Sequence, residues 1–462
     1  MKKMFTVMLL LIILLSGMQG VAADATQPPI DEVKQIITEK AIAYDIPPEI
    51  LKAIAYEESG YRQFQNGEPY ISEDGGIGIM QVTPEKIDIV VDEERLKYDI
   101  EYNIEIGASV LDSKWDLTYL PSVNNQDREV LEEWYFPITA YNGLSKRNDP
   151  NLHPGDTYQE DVYSRIEGSS LIYWSGSHFE FPEFDIRYDT GDDTMKFPPG
   201  VSYTTMTITP SQQMYQPGDL IYIDGRDGAI NFRSSLAPNA DITKLIPYTP
   251  LEVVDGPFES SNINNDFSYY KLEGISADGY ASSAYLNQAN QDFTFSDPIT
   301  DERAAALYFL AMNEYVTGFQ DGSFGSEEPL RREHVAVILD RILDMEMPSD
   351  YEMQADDVSE NNPYYDALAK AEYNGYLGVG GKLRPQEYLT RSQMASVLVR
   401  AFDAYYQEPT EDHVFEDQSS IWNYEPINTL YFNEITIADP YRPNEDVTRS
   451  QFALFIYRTL VE

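Results

Sequence analysis

The sequence predicts a multidomain fold, with a mainly α domain at the N-terminal end, a small all-β domain in the middle and an all-α repeat domain at the C-terminal end. Three observations predict this division. Apolar residues recur at helical spacing up to about residue 175, short alternating runs bounded by turn residues occupy residues 219–290, and related segments recur three times from residue 291 onward. A chain of 462 residues is long enough for about three or four domains.

The most informative helix of the N-terminal domain leads to Glu58. Pro48 suits its first turn, because proline lacks the N–H that a first turn leaves unpaired, and Gly60 suits its end. Four apolar residues share one face at about 100° per residue: Ile50, Leu51, Ile54 and Ala55. Glu58 falls near the centre of that face, while Glu57 lies about 90° away and is expected to stay in water. A carboxyl desolvated in this way has a raised pKa and can donate a proton near neutral pH.

Further stretches of helical spacing complete this domain: Asp31 to Tyr44, Asn103 to Trp115 and Tyr158 to Ile166. Residues 176–218 lose that spacing and are rich in proline, threonine and aromatic residues, which predicts a linker or a partly ordered extension. Four β-type runs follow: Leu220–Ile223, Ile230–Ser234, Leu251–Val254 and Tyr269–Leu272.

The first 23 residues are typical of a secretory signal peptide. Lys2 and Lys3 precede the apolar run Val7 to Leu15, and small residues lead to a cleavage site after Ala23 or Ala25. The run is too short to span a bilayer, which needs about 20 apolar residues, and no later segment approaches that length. The sequence therefore predicts an exported, soluble protein with no membrane insertion after signal removal.

Composition excludes several kinds of site. The chain has no cysteine, which removes disulfides, thiolate metal sites and a lipoprotein anchor. Its formal charge of −46 disfavours nucleic acid and anionic membranes, which carry the same sign. The four histidines, His153, His178, His334 and His413, share no ligand spacing, and the acidic run Asp189–Asp193 lacks the alternation of a calcium loop. We predict neither a metal nor a cofactor.

Three ordered motifs carry a family resemblance over residues 28–175. They are Ala53–Tyr61, which contains Glu58, then Gly76–Gln81, then Ala140–Gly143. Together they resemble the transglycosylase SLT domain, a lysozyme-like fold that cuts peptidoglycan. The resemblance implies cleavage of the β-1,4 bond between N-acetylmuramic acid and N-acetylglucosamine, with one glutamate acting as general acid and then as base while the muramic C6 hydroxyl closes onto C1. That role falls to Glu58.

The resemblance also implies substrate-binding residues and leaves two alternatives open. The expected cleft residues are Met80, Gln81, Tyr141, Asn142 and, on a weaker match, Tyr163. Asp74 stands where family members commonly carry a small neutral residue. If it points into the cleft it would assist water, and the enzyme would be a hydrolytic muramidase with the paired carboxyls that glycosidases usually employ. The other alternative is a non-catalytic wall-binding surface protein.

The middle region, residues 219–290, resembles a bacterial SH3 domain. The resemblance runs from Asn231–Ser234 through Pro247–Leu251 to Gly279–Leu286. In the family such small barrels often bind wall peptides. A role as a spacer is the alternative.

The C-terminal region contains three copies of one segment, expected over residues 291–345, 350–405 and 411–462. The segments Leu330–His334, Leu389–Gln393 and Val447–Gln451 recur at separations of 59 and 58 residues. They resemble S-layer homology repeats, which attach proteins without a covalent bond to a secondary cell-wall polysaccharide. The resemblance implies a protein held in the cell wall or S-layer.

The residues expected to bind the wall polymer are Arg332, Arg391, Arg449, Asp321 and Gly322. A planar guanidinium can take an anionic group on a sugar in two parallel hydrogen bonds. The alternative is that each arginine only braces the helix that follows it. The copies are unequal, because the first has Arg331 where the others have threonine and the third lacks a loop glycine.

Overall fold

The computed structural model describes residues 26–172, 179–378 and 381–461. The predicted signal peptide and His178 lie outside these residues. Across the described residues, every helix is too short or too polar to cross a membrane.

Within that range the N-terminal region is mainly helical. Its helices, α1 to α6, are Ile30–Ala43, Pro48–Ser59, Glu93–Tyr98, Ile100–Trp115, Tyr135–Asn142 and Tyr158–Ser170. The four predicted helices are confirmed as α1, α2, α4 and α6, with ends shifted by up to four residues. Two short hairpin strands, β1 (Phe64–Gln65) and β2 (Glu68–Pro69), follow α2. A helical N-terminal domain is therefore confirmed.

Residues 179–218 are not a free linker. A strand in this segment, β4 (Ser202–Tyr203), pairs in parallel with β3 (Ser122–Val123) of the helical region. Buried aromatic and apolar side chains such as Phe184 and Met195 lie along the segment. The buried Glu132 carboxylate accepts hydrogen bonds from the Thr209 amide and hydroxyl at 2.8 and 2.6 Å. Proline and threonine richness concealed this packing because neither produces a helical or strand period.

The middle region forms an antiparallel sheet of seven strands. Strands β5 to β11 are Leu220–Ile223, Ile230–Arg233, Ile242–Leu245, Pro250–Phe258, Tyr269–Glu273, Asp278–Ser282 and Leu286–Gln288. They pair in the order β11-β5-β8-β9-β10-β6-β7. The four predicted strands are confirmed, and the SH3-like barrel stays a prediction.

A buried network of charges joins the middle region to the N-terminal helices. Lys52 of α2 has no exposed side-chain surface, and its Nζ donates to Glu259 at 2.6 Å and to Gln213 at 2.7 Å. Asp266 accepts from the Tyr61 hydroxyl at 2.8 Å and from Arg165 of α6 at 2.7 Å. Buried charges need partners, and here the partners come from different parts of the chain. The helix that carries Glu58 is thus fixed to the sheet.

In residues 301–378 and 381–461 the structure has six α-helices. They are α7 to α12: Asp301–Met312, Arg332–Leu343, Tyr365–Tyr373, Arg391–Ala401, Tyr424–Phe432 and Arg449–Leu460. The region also contacts the sheet. The Tyr457 hydroxyl donates to the Pro247 carbonyl at 2.8 Å, and the Tyr248 ring lies 4.9 Å from Phe309. Three S-layer homology repeats stay a prediction for this part of the chain.

The three copies close into a ring. Each arginine at the start of a copy's second helix donates from Nε to a carbonyl in another copy: Arg332 to Leu383 at 2.6 Å, Arg391 to Tyr441 at 2.7 Å, and Arg449 to Phe324 at 2.9 Å. A second ring of backbone bonds joins Leu330, Val447 and Leu389, each 0–1% exposed, at 2.8 to 2.9 Å. The first copy thus contacts the third directly.

Candidate active site

Helix α2 carries the candidate acid. Pro48 begins it, and Gly60 ends it in the left-handed region with φ 62°, a conformation that glycine adopts without a Cβ clash. The predicted orientation is confirmed, because Glu58 is half-buried and Glu57 is exposed. The backbone therefore directs one carboxyl of the adjacent pair towards the interior and the other towards water.

Glu58 receives a hydrogen bond from α6. The Tyr158 hydroxyl donates to Glu58 Oε1 at 2.7 Å. Burial raises the pKa of Glu58 to about 7, although hydrogen bonds from Tyr158 and Asn142, which favour the carboxylate, oppose that rise. The residue therefore holds a proton over part of the neutral range and can also release it.

The Asn142 amide is oriented by two donors. Its Oδ1 accepts from Arg147 Nη2 at 2.6 Å and from Asn148 Nδ2 at 3.1 Å. With the oxygen occupied, the NH₂ group is left to interact with Glu58, where it lowers the pKa of that carboxyl. The Arg147 charge acts in the same direction. Sequence reasoning placed Asn142 but missed Arg147, which carries no motif.

The side chain of Met80, a predicted substrate-binding residue, is buried. Met80 is 0% exposed and fills the space beside Gly107, where an added Cβ would lie 2.5 Å from Met80 Cγ. The Met80 carbonyl accepts from the Tyr141 hydroxyl at 2.9 Å, so Tyr141 braces this segment. Gln81 is half-exposed in the left-handed region at φ 47°, with Nε2 donating to the Gly78 carbonyl at 2.7 Å.

Tyr163 lies in the core and not in a cleft beside Glu58. It is 3% exposed, its hydroxyl donates to the Leu131 carbonyl at 2.7 Å, and its ring lies 4.9 Å from Phe181. Tyr158, at the first position of α6, contacts Glu58 instead. Five residues of helix separate the two tyrosines by about 140°, so they face different surroundings. That angle is the one sequence signal that would have separated them.

Asp74 is engaged at the surface. Its Oδ1 accepts from the Ser72 hydroxyl at 2.6 Å, and its Oδ2 pairs with Lys86 Nζ at 3.3 Å. These two partners hold the pKa of Asp74 below its usual value. Its charge nevertheless acts on Glu58, raising the pKa of that carboxyl. Asp74 is thus a neighbouring carboxylate whose oxygens already have partners.

The candidate polymer-binding arginines lie between copies. Arg449 of the third copy stacks on Phe319 and Phe324 of the first, with its guanidinium carbon 5.3 and 4.4 Å from the ring centres. Asp321 and Gly322 are exposed in that same loop. Arg391 is only 7% exposed. All three arginines brace a neighbouring copy through the hydrogen bonds that their Nε atoms donate, whereas polymer binding stays a prediction.

An aspartate in each copy was missed by sequence reasoning. Asp297, Asp357 and Asp417 each accept two backbone N–H groups from the loop that an arginine also contacts. They recur every 60 residues, and that spacing is the signal that could have found them. Each loop is therefore held through its N–H groups by an acid and through a carbonyl by an arginine.

Comparison with known families divides the chain in the same way. The transglycosylase SLT domain matches residues 35–155, and the S-layer homology domain matches residues 414–453. The first match contains Glu58, Gln81 and Asn142 but ends before Tyr158.

Comparison with individual proteins gives partial matches. The chain is 28% identical over 194 residues to a surface-layer 125 kDa protein of Lysinibacillus sphaericus, covering 39% of this chain and 15% of that protein. It is 28% identical over 160 residues to an S-layer protein of Bacillus thuringiensis subsp. finitimus, covering 33% of this chain and 20% of that protein. An endoglucanase of Bacillus sp. (strain KSM-635) is 28% identical over 187 residues, covering 38% of this chain and 20% of that protein. The chain thus spans a fifth or less of these relatives. A transglycosylase SLT domain and an S-layer homology domain are therefore both found in this chain, one near each end.

Proposed function

We propose that this chain is a secreted lytic transglycosylase, held at the bacterial cell surface, that cleaves the β-1,4 bond between N-acetylmuramic acid and N-acetylglucosamine in peptidoglycan. The observation that carries the proposal is the half-buried Glu58 carboxyl bonded to Tyr158 at 2.7 Å. The match of the SLT family to residues 35–155 supports the substrate class. Secretion rests on the signal-like residues 1–23.

One carboxyl serves both chemical steps. Protonated Glu58 donates its proton to the bridging oxygen as the C1–O bond breaks. The carboxylate then takes the proton of the muramic C6 hydroxyl while that oxygen bonds to C1, which gives a 1,6-anhydro end and restores the acid. No water is consumed. A pKa of about 7 suits both directions of transfer at neutral pH.

The neighbouring groups divide into two roles in this proposal. Tyr158 and Asn142 stabilise the carboxylate that exists between the two proton transfers, because both donate to it. Gln81 and Asn142 supply polar atoms for sugar N-acetyl groups. Tyr141 acts indirectly through the Met80 carbonyl.

Attachment to a secondary cell-wall polysaccharide is the second part of the proposal. The S-layer homology match at residues 414–453 and the similarity to S-layer proteins support it. Arg332 and Arg449 are half-buried, so their guanidinium groups keep some surface for anionic groups of the polymer, beside Asp321 and Gly322 in the case of Arg449. Arg391 is more deeply buried, which favours bracing.

A hydrolytic muramidase is the second candidate function, favoured by one observation. The Asp74 charge raises the pKa of Glu58, so a second acid does lie within electrostatic range. The bonds of Asp74 to Ser72 and Lys86 oppose its use as a base for water.

The deciding experiment compares Glu58→Gln with Glu57→Gln on purified peptidoglycan. Loss of a general acid lowers the rate by about 10² to 10⁴-fold, and the adjacent exposed acid provides a matched control. Mass spectrometry of the products separates the two reactions, because reducing-end products are heavier than 1,6-anhydro products by one water. Undiminished lysis by Glu58→Gln would refute the assignment of Glu58 as the acid, whereas absence of lysis by the parent protein would leave the non-catalytic wall-binding alternative. Sedimentation of Arg332→Gln/Arg449→Gln with purified walls tests attachment.

A further inference from the structure

One face of the middle sheet presents an aromatic ring between two cations. Direct cross-strand pairing places Arg233 of β6 opposite Tyr280 of β10, and Tyr280 opposite Lys271 of β9. Residues paired in this way point to the same face with their Cβ atoms about 5 Å apart. Phe258 meets Tyr280 edge to face at 5.9 Å. The row therefore exposes alternating positive charge and aromatic surface.

A cleft beside this row contains a third cation. It has a volume of about 300 Å³ and is lined by Arg233, Lys244, Phe267 and Tyr269 among others. Lys244 lies opposite Asn231, two residues before Arg233 on the same face. The volume is at the lower end of ligand clefts. Two cations and two aromatic rings therefore face one space of ligand size.

These cations differ from the others nearby because they lack acidic partners. Among the described residues, no carboxylate lies within ion-pair distance of Arg233, Lys244 or Lys271, although Asp255 of β8 is the cross-strand neighbour of Lys271. The one side-chain bond of the three cations runs from Lys244 to Asn231. By contrast, Lys52 and Arg165 are fully engaged with buried acids. In a chain with a formal charge of −46, unpaired cations on one face are the unusual feature.

We propose that this face binds a saccharide chain bearing carboxylate or phosphate groups. Aromatic rings offer flat apolar surface to sugar rings, and cations give charge-assisted bonds to anionic substituents. Besides Asp255 opposite Lys271, acids limit the surface on two further sides. Asp227 is on the rim of the cleft, and Asp31 and Glu32 of α1 line an adjacent cleft that shares Arg233 and Tyr269. The site is separate from Glu58 and does not depend on cleavage.

Binding is measured by calorimetry at low ionic strength, where surface charge is least screened. The protein is the full chain with Glu58→Gln, so that no substrate is consumed. The probes are an oligogalacturonate for carboxylates, a glycerol-phosphate polymer for phosphates, and neutral chitotetraose. We expect at least one anionic probe to bind and the neutral one to bind much more weakly; the stronger anionic probe identifies the substituent.

Variants decide whether this face is responsible. Arg233→Gln/Lys244→Gln is expected to weaken binding about fivefold. Arg187→Gln/Lys196→Gln removes the same charge from cations that are paired with Asp185 and Asp189, and should leave affinity unchanged. Asp31→Asn/Glu32→Gln should strengthen binding, a gain that a misfolded protein cannot give. Equal losses in both cation pairs, equal binding of the neutral probe, or no binding of either anionic probe would overturn the proposal.

Discussion

The Tyr158 hydroxyl donates a 2.7 Å hydrogen bond to Glu58 Oε1 across 100 residues of sequence. The bond joins α6 to α2 at the candidate acid. A donor at this distance favours the ionised carboxylate, whereas burial favours the neutral acid. The balance between the two sets the range of pH in which Glu58 can both give and take a proton.

The first prediction concerns activity and pH. Because burial raises the pKa of Glu58 to about 7, the proton needed for the first step is lost as pH rises through that value. We expect kcat/KM on peptidoglycan to fall about tenfold per pH unit on the alkaline side. A rate profile from pH 5 to 9 measures this. If kcat/KM instead began to fall near pH 5, Glu58 would titrate like a surface acid.

The second prediction concerns stability and the same group. The folded protein holds the Glu58 proton more tightly than the unfolded chain, whose carboxyl titrates near 4.5. Between those values the unfolded chain releases its proton first, so the stabilisation is present below pH 4.5 and is lost as pH rises through about 7. Glu58→Gln cannot lose this stabilisation. Between pH 4 and pH 8 its free energy of unfolding should therefore rise by up to about 3 kcal/mol relative to that of the parent protein. Urea unfolding at the two pH values tests it. The control is Glu85→Gln, at an exposed acid, because burial also raises the pKa of Glu57.

The third prediction separates Tyr158 from Tyr163. Tyr158→Phe removes a donor to the carboxylate, so the pKa of Glu58 rises and the alkaline limb should move up by about 0.5 to 1 pH unit. Tyr163→Phe deletes a hydroxyl that donates to Leu131 in the core and should leave the limb in place. A limb that moves only in Tyr163→Phe would contradict this assignment.

The fourth prediction concerns Asp74. If the reaction is lytic, Asp74→Asn keeps most activity and yields 1,6-anhydro products. Removing a charge that raises the pKa of Glu58 should also move the alkaline limb slightly downward. Loss of activity by more than about 10²-fold, with reducing-end products in the parent, would establish the hydrolytic alternative. Lys86→Gln removes the surface partner of Asp74 without removing the acid.

The fifth prediction concerns the network between helix and sheet. Lys52→Met leaves the Glu259 carboxylate buried without its cation, which destabilises a protein by about 3 to 5 kcal/mol. Lys97→Met, at a surface pair with Glu93, should have little effect. Adding Glu259→Gln to Lys52→Met should restore part of the lost stability, because it removes the unpaired buried charge. Denaturant unfolding measures all three; no change in Lys52→Met would mean that the network contributes nothing to folding.

Local sequence patterns predicted the secondary-structure elements better than they predicted the tertiary contacts. Pro48, Gly60 and the apolar spacing between them were enough to place α2 and to turn Glu58 inward, because helix geometry relates near neighbours. Met80 and Tyr163 were assigned to a cleft by motif position, which does not specify the direction of a side chain. Tyr158 and Arg147 reach the site through tertiary packing, and no sequence spacing encodes that.

The arginine hydrogen bonds of the C-terminal region form a closed ring, in which each copy donates to one neighbouring copy and accepts from the other. Losing any one copy leaves an arginine of one remaining copy and a loop carbonyl of the other without counterparts. Truncation of one copy should therefore weaken the whole module and not only remove a third of it.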